Sequence, residues 1–193
     1  MPSAVTAKLI DALKRTTERI DDFLETNRTI FGEIEPSPYA YMTFCSFLVV
    51  ASYAPGKENF PNTSVEREES DTEEFKKMIV HAITHSVLQR HASAVELMRS
   101  EAEKDEHVAG TEQQIETFVN EKYAEYFRYF RLDIEQLADG KSLYKNLSTA
   151  FMRDVLAREG SDLPVDGLAV DSVSFGLCLS TTVSGLLSFF ENA

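Results

Sequence analysis

Residues 39–54 read YAYMTFCSFLVVASYA, and none of these 16 side chains carries a charge. On a helical wheel the apolar side chains point in every direction, which is the pattern of a helix buried on all sides. The segment is too short to cross a bilayer comfortably, because a transmembrane helix needs about 20 residues. A buried strand is the alternative, since aromatic and β-branched residues are frequent here, but the length favours a helix.

Helix signals flank this segment and recur along the rest of the chain. Ser37 and Pro38 precede it as an N-cap and a first helical residue, and Pro55-Gly56 ends it. Elsewhere apolar residues recur at three- and four-residue spacing, which is typical of amphipathic helices. The pattern predicts further helices over residues 3–31, from a capping box at Thr63 or Ser70 to about His107, and over 111–138, 142–159 and 168–191.

The boundary between the third and fourth helices is placed at Gly110, because Thr111-x-x-Gln114 follows it as a new capping sequence. No linker long enough to divide two domains interrupts the 193 residues. We therefore expect one all-α domain over residues 1–193. It is predicted to be a bundle of about six helices in which the second and the C-terminal helix are largely buried.

The C-terminal segment from Ser172 to Phe190 is uncharged over 19 residues. Small residues recur at every fourth position, and such side chains let two helix backbones approach closely. This ribbon consists of Ser172, Gly176, Ser180, Ser184 and Ser188. A buried helix packed tightly against a neighbour is the favoured interpretation, and a tail-anchored membrane helix is the alternative.

Charge and cysteine usage limit the function classes. The chain has 19 Lys and Arg against 32 Asp and Glu, a net charge of −13. Such a charge repels nucleic-acid backbones and anionic membrane surfaces, so neither is an expected partner. Cys45 and Cys178 lie in apolar runs and are predicted to be buried, reduced thiols. With no basic and then apolar leader at the N-terminus, the expected location is the cytoplasm.

The sequence gives little support to catalysis or to a cofactor. His81 and His85 have the i, i+4 spacing at which two imidazoles can share a metal, but no third ligand accompanies them. We interpret them as half-exposed histidines and expect neither a metal nor a cofactor. The chain contains no glycine-rich phosphate loop, Cys-x-x-Cys pair or nucleophile elbow. An enzyme is therefore the least favoured class.

Polar residues interrupt the apolar faces of two predicted helices. The third helix carries such residues at Ser86, Arg90 and Ser93, and the fifth carries them at Asp154 and Arg158. A charge directed inward must find a partner, so a structural ion pair, or an arginine that snorkels to solvent at the end of the bundle, is the favoured interpretation. The alternative is a polar pocket between helices that holds an anionic or amide-bearing ligand.

Two features point to a protein partner. Six acidic residues lie within Glu66–Glu74, and Glu68, Glu69, Glu73 and Glu74 are candidates for docking a basic partner. Helix capping and solvation explain the same cluster. Phe118 and Tyr129 lie off the inward stripe of the fourth helix. They form either a second buried contact or an exposed aromatic pair that anchors a partner.

These observations favour an acidic cytoplasmic partner-binding protein, such as an adaptor, an inhibitor or an immunity-type protein. The alternative is a helical small-molecule-binding protein with a polar pocket near Arg90 and the Asp154/Arg158 pair. The sequence does not decide whether the protein forms a homo-oligomer.

Overall fold

The computed structural model of the chain describes residues 4–28, 36–54, 69–92, 101–138, 144–156 and 165–191. These residues form six helices and no strand, so the all-α prediction is confirmed. The helices are α1 (Ala4–Thr26), α2 (Pro38–Tyr53), α3 (Glu69–Arg90), α4 (Glu101–Ala138), α5 (Lys145–Asp154) and α6 (Val165–Glu191).

Helix α2 is the centre of the bundle. It packs against each of the other five helices, and these surround it in the order α1, α3, α4, α5, α6 and back to α1. Every residue from Thr43 to Tyr53 is buried. This enclosure follows from the uncharged sequence of the segment, because any exposed face would leave apolar surface in water.

Aromatic side chains fill the space between α2 and its neighbours. Phe44 of α2 contacts Phe151 of α5 edge to face, with ring centroids 5.0 Å apart. Phe151 in turn stacks on Phe175 of α6 at 4.2 Å. The Tyr123 hydroxyl of α4 is buried too, and it donates a 2.8 Å hydrogen bond to the Ser46 hydroxyl of α2. Both cysteines are free and buried, as predicted.

Helix α6 buries one face and exposes the other. Val173 and Leu177 lie on the exposed face, with 55% and 51% of their surface accessible. The stretch Val173–Glu191 is long and apolar enough to cross a membrane by length and composition, and 44% of it is buried in the bundle. Core helices of soluble proteins satisfy the same criterion. The buried face carries Phe175, Cys178, Leu179, Val183, Leu186 and Phe190.

The ribbon of small residues on α6 does not lie along a single contact with a neighbouring helix. Gly176 is buried, Ser180 is half-buried, and Ser184 and Ser188 are exposed. A step of four residues turns an α-helix by about 400°, so each step rotates the ribbon by about 40°. The ribbon therefore winds out of the interface within three steps.

The predicted break at Gly110 is wrong. Helix α4 begins at Glu101 and continues through Gly110 to Ala138. The Thr111 hydroxyl donates to the His107 carbonyl of the preceding turn at 2.8 Å instead of capping a new helix. One exposed glycine costs a helix only about 1 kcal/mol, which a long packed helix tolerates.

The loop at Pro55-Gly56 and the Thr63 capping box lie outside the described residues, and Ser70 is the second residue of α3.

Candidate functional site

A groove lies between α3 and α4, with a volume of about 270 Å³. Each helix contributes side chains three or four residues apart, because such positions share one face of a helix. The lining consists of Glu73, Lys76, Lys77, Val80, Glu112, Glu116 and Asn120. We call it the acidic groove, because its three carboxylates outnumber its two ammonium groups.

The carboxylates of the acidic groove differ in their partners. Glu73 accepts a 2.8 Å hydrogen bond from Lys76, whose ammonium group also lies 5.7 Å from the ring centroid of Tyr123. Glu112 and Glu116 are exposed and form no ion pair within the described residues. Like charges one turn apart destabilise a helix by a few tenths of a kcal/mol. A cation bound between them would remove that repulsion.

The predicted aromatic pair lies on the opposite flank of α4. Phe118 and Tyr129 are half-buried and pack against the core. The Tyr129 hydroxyl donates to Glu125 at 3.0 Å. On the helical wheel these residues are on average about 130° from the flank that carries Glu112 and Glu116. The structure therefore does not bring the acidic and aromatic candidates into one surface.

Asp154 is the centre of an ion network between α4 and α5. Its carboxylate accepts hydrogen bonds from Lys122 at 2.9 Å, from Tyr126 at 3.1 Å and from two nitrogens of Arg153 at 2.6 and 2.8 Å. Glu125 extends the network, since it accepts from Lys122 at 3.0 Å and from Arg153 at 2.8 Å. The side chain of Asp154 is only 9% exposed.

Opposite effects set the pKa values of this network. Burial acts to raise the pKa of Asp154, but the hydrogen bonds from Arg153 and Lys122 outweigh it and hold the pKa below its ordinary value. Glu125 behaves in the same way, with Lys122, Arg153 and Tyr129 as donors. Both carboxylates are thus ionised at neutral pH and compensated by cations.

Sequence reasoning did not identify Lys122, Tyr126 and Arg153 as the partners of Asp154. Lys122 and Tyr126 lie on another helix, 32 and 28 positions away, and no short-range spacing reports such a contact. Arg153 is the adjacent residue, and the i, i+4 spacing that relates Asp154 to Arg158 does not indicate this contact. Arg158, the predicted partner, lies outside the described residues.

Arg90 is not directed into the bundle. It is exposed at the end of α3, and its guanidinium carbon lies 5.6 Å from the ring centroid of Tyr39. Ser86 is half-buried on the same helix, and neither residue lines the acidic groove. Glu68 and Ser93 lie outside the described residues, and Glu69 is described only in its backbone.

The two candidate histidines, His81 and His85, are both exposed on α3. Within the part of the chain that the structure describes, no three His, Cys, Asp or Glu side chains are grouped so that they could hold a metal ion.

These features define an acidic all-α bundle built around one enclosed apolar helix. No protein-family model matches the chain, and no curated protein and no solved structure matches it either.

Proposed function

We propose that this protein is a cytoplasmic partner-binding protein that docks a basic protein at the acidic groove between α3 and α4. The observation that carries the proposal is the pair Glu112 and Glu116, two exposed carboxylates one turn apart in a groove that also contains Glu73. The net charge of −13 adds long-range attraction for a basic partner.

The dimensions of the groove define how the partner would bind. A volume of about 270 Å³ accepts one or two side chains rather than a whole helix. Val80, which is only 7% exposed, lies in the lining. A lysine or arginine can pack its aliphatic stem on such an apolar surface while its charged end reaches carboxylates. We therefore propose that a basic side chain of the partner inserts between Glu73 and the Glu112/Glu116 pair.

A small-molecule site at Arg90 and Asp154 is not proposed. The carboxylate of Asp154 already accepts four hydrogen bonds from protein groups, and Arg90 lies exposed against an aromatic ring. Phe118 and Tyr129 are likewise omitted from the docking surface, because they pack against the core on the other flank of α4.

Affinity capture with matched variants tests the proposal. Wild-type protein, the double variant Glu112→Gln/Glu116→Gln and the control Glu18→Gln/Asp22→Asn are immobilised and exposed to an extract of the native host. Both double variants remove two negative charges from exposed helix positions, so they change the net charge of the protein equally. Mass spectrometry then quantifies each recovered protein.

The expected result is a basic protein recovered by the wild type and the control but lost with the groove variant. Its association rate should fall as the salt concentration rises, because ions screen the attraction between exposed charges. Equal recovery by all three baits, or a partner whose association rate does not depend on salt, would refute the proposal.

A further inference from the structure

A second cavity lies between α1 and α6, away from the acidic groove, and has a volume of about 270 Å³. This size is close to the lower end of the range of about 300–1,000 Å³ for small-molecule pockets. The cavity is lined by Arg15, Thr16, Arg19, Thr182, Gly185, Leu186 and Phe189. We call it the basic cavity.

The basic cavity concentrates positive charge in a strongly acidic chain. Arg15 and Arg19 lie one turn apart on α1 and both line it. The Arg15 guanidinium carbon lies 5.0 Å from the ring centroid of Phe189, and the ammonium group of Lys8 lies 5.9 Å from the same centroid. Asp11 pairs with Nε of Arg15 at 3.0 Å. Within the described residues, Lys8 and Arg19 have no carboxylate partner.

The groups of the basic cavity that remain available to hydrogen-bond a ligand are N–H donors of its arginine side chains. The hydroxyls of Thr16 and Thr182 donate to carbonyls of their own helices, both at 2.8 Å. Arg19 donates one hydrogen bond, from Nη1 to the Thr181 carbonyl at 3.2 Å. The described residues supply no acceptor for its other N–H groups. A guanidinium fork of this kind matches a carboxylate or a phosphate.

Gly185 makes room for this guanidinium group. A Cβ atom at position 185 would lie 3.2 Å from Nη1 of Arg19, which is tighter than ordinary van der Waals contact. Glycine costs a helix about 1 kcal/mol relative to alanine, so its presence inside α6 needs a compensating gain. Close approach of Arg19 to the α6 backbone is such a gain.

We infer that the basic cavity binds a small organic anion. The guanidinium groups of Arg15 and Arg19 hold its carboxylate or phosphate, and a short apolar chain packs against Leu186 and Phe189. Both side chains line the cavity, and Phe189, which is half-buried, supplies more of the apolar wall than Leu186, which is only 4% exposed. This site goes beyond the proposed partner docking, which uses a different pair of helices and the opposite charge.

The test uses hexanoate as the charged probe and 1-hexanol as its uncharged counterpart. Binding to the full chain is followed by nuclear magnetic resonance titration of backbone amides. Arg19→Gln removes the charged fork, and Gly185→Leu fills the cavity. Lys14→Gln is the control, because it removes a positive charge from an exposed position of the same helix outside the lining. Circular dichroism verifies that every variant is folded.

Hexanoate should bind saturably to the wild type and more weakly as salt rises, while hexanol shows no comparable binding. Arg19→Gln should weaken hexanoate binding by about tenfold or more, as expected for a lost charged hydrogen bond. Gly185→Leu should abolish binding, and Lys14→Gln should leave it unchanged. Equal binding of hexanoate and hexanol, or an affinity that survives both cavity variants, would overturn the inference.

The same oxyanion chemistry occurs in a lipid headgroup, and a second arm distinguishes this source. Sedimentation with phosphatidylglycerol vesicles is compared with sedimentation with phosphatidylcholine vesicles. Arg19-dependent binding to the anionic vesicles without hexanoate binding assigns the cavity to a lipid phosphate. Hexanoate binding without vesicle binding assigns it to a free anion. If neither probe binds in an Arg19-dependent manner, the site does not exist.

Discussion

Asp133 on α4 caps the N-terminus of α5 by accepting hydrogen bonds from Asn146. Its Oδ1 atom accepts the backbone N–H of Asn146 at 2.9 Å and the side-chain amide of the same residue at 2.8 Å. Its Oδ2 atom accepts the N–H of Leu147 at 2.9 Å. Tyr144, which immediately precedes α5, has a φ of 44° and provides no side-chain cap. A buried carboxylate from another helix thus replaces the local N-cap.

Asp133→Ala should lower the free energy of unfolding by about 1–3 kcal/mol. The substitution leaves the buried N–H of Leu147 and the partly buried N–H of Asn146 without their acceptor, and a buried unpaired donor carries the full cost of its desolvation. Urea denaturation measures the change. Asp105→Ala, at an exposed position of the same helix, is the control and should change the stability by less than about 0.5 kcal/mol. Equal losses in both variants would contradict the capping role.

The pH dependence of stability should reveal the Asp154 network. The pKa of Asp154 in the folded state lies below its ordinary value of 3.8. The stabilisation is therefore present above the unfolded-state pKa and is lost as the pH falls through the lower folded-state pKa. Asp154→Asn should destabilise the protein by about 1–3 kcal/mol at pH 7, since it removes charged hydrogen bonds. The difference from the wild type should shrink below pH ~4.

Urea midpoints of the wild type and Asp154→Asn between neutral and acid pH supply the measurement. Asp133 changes the pH dependence of stability in the opposite direction. Burial raises the pKa of its carboxyl group, so the folded state gains stability as the pH falls through that raised pKa. Comparing the two proteins at each pH cancels that contribution. A constant difference across the whole range would show that the charge of Asp154 is not what stabilises the contact.

Ser180→Leu and Ser184→Leu should behave differently. Ser180 is half-buried on α6, and adding a large side chain there should cost about 1–3 kcal/mol through overpacking. Ser184 lies one turn later and is exposed, so the same substitution should change the stability by less than about 0.5 kcal/mol. Thermal unfolding of the two variants checks this. Equal losses would place both residues in one helix contact, as the sequence pattern had predicted.

The features that sequence predicted best are those with a local physical cause. The burial of α2 depends only on its own uncharged residues, and Ser37-Pro38 marks its first turn correctly. The features that sequence missed depend on contacts between distant positions. Asp133 looks like one polar residue on the inward side of α4, and only the position of α5 shows that it is a cap.

The candidate site shows the same limit. Charge composition indicated an acidic surface, but the acidic groove combines Glu73 with two glutamates of α4 that the sequence did not single out. Their proximity depends on how α3 packs on α4, which no spacing within one helix encodes. The basic cavity likewise depends on a contact between distant positions, because Arg19 and Gly185 are 166 positions apart in the sequence.

Gly110→Ala should stabilise the protein by about 0.5–1 kcal/mol. Gly110 lies within α4, and a Cβ atom built there has no atom within 4 Å apart from the adjacent residues and the local backbone of its own helix. Alanine then reduces the entropy of the unfolded chain and adds helix propensity without a clash. Gly185→Ala is the comparison, because its Cβ would press on Arg19 and offset the gain in propensity. Urea denaturation of both variants measures the two effects. A loss of stability in Gly110→Ala would mean that the backbone at this position is not helical, as the sequence alone had suggested.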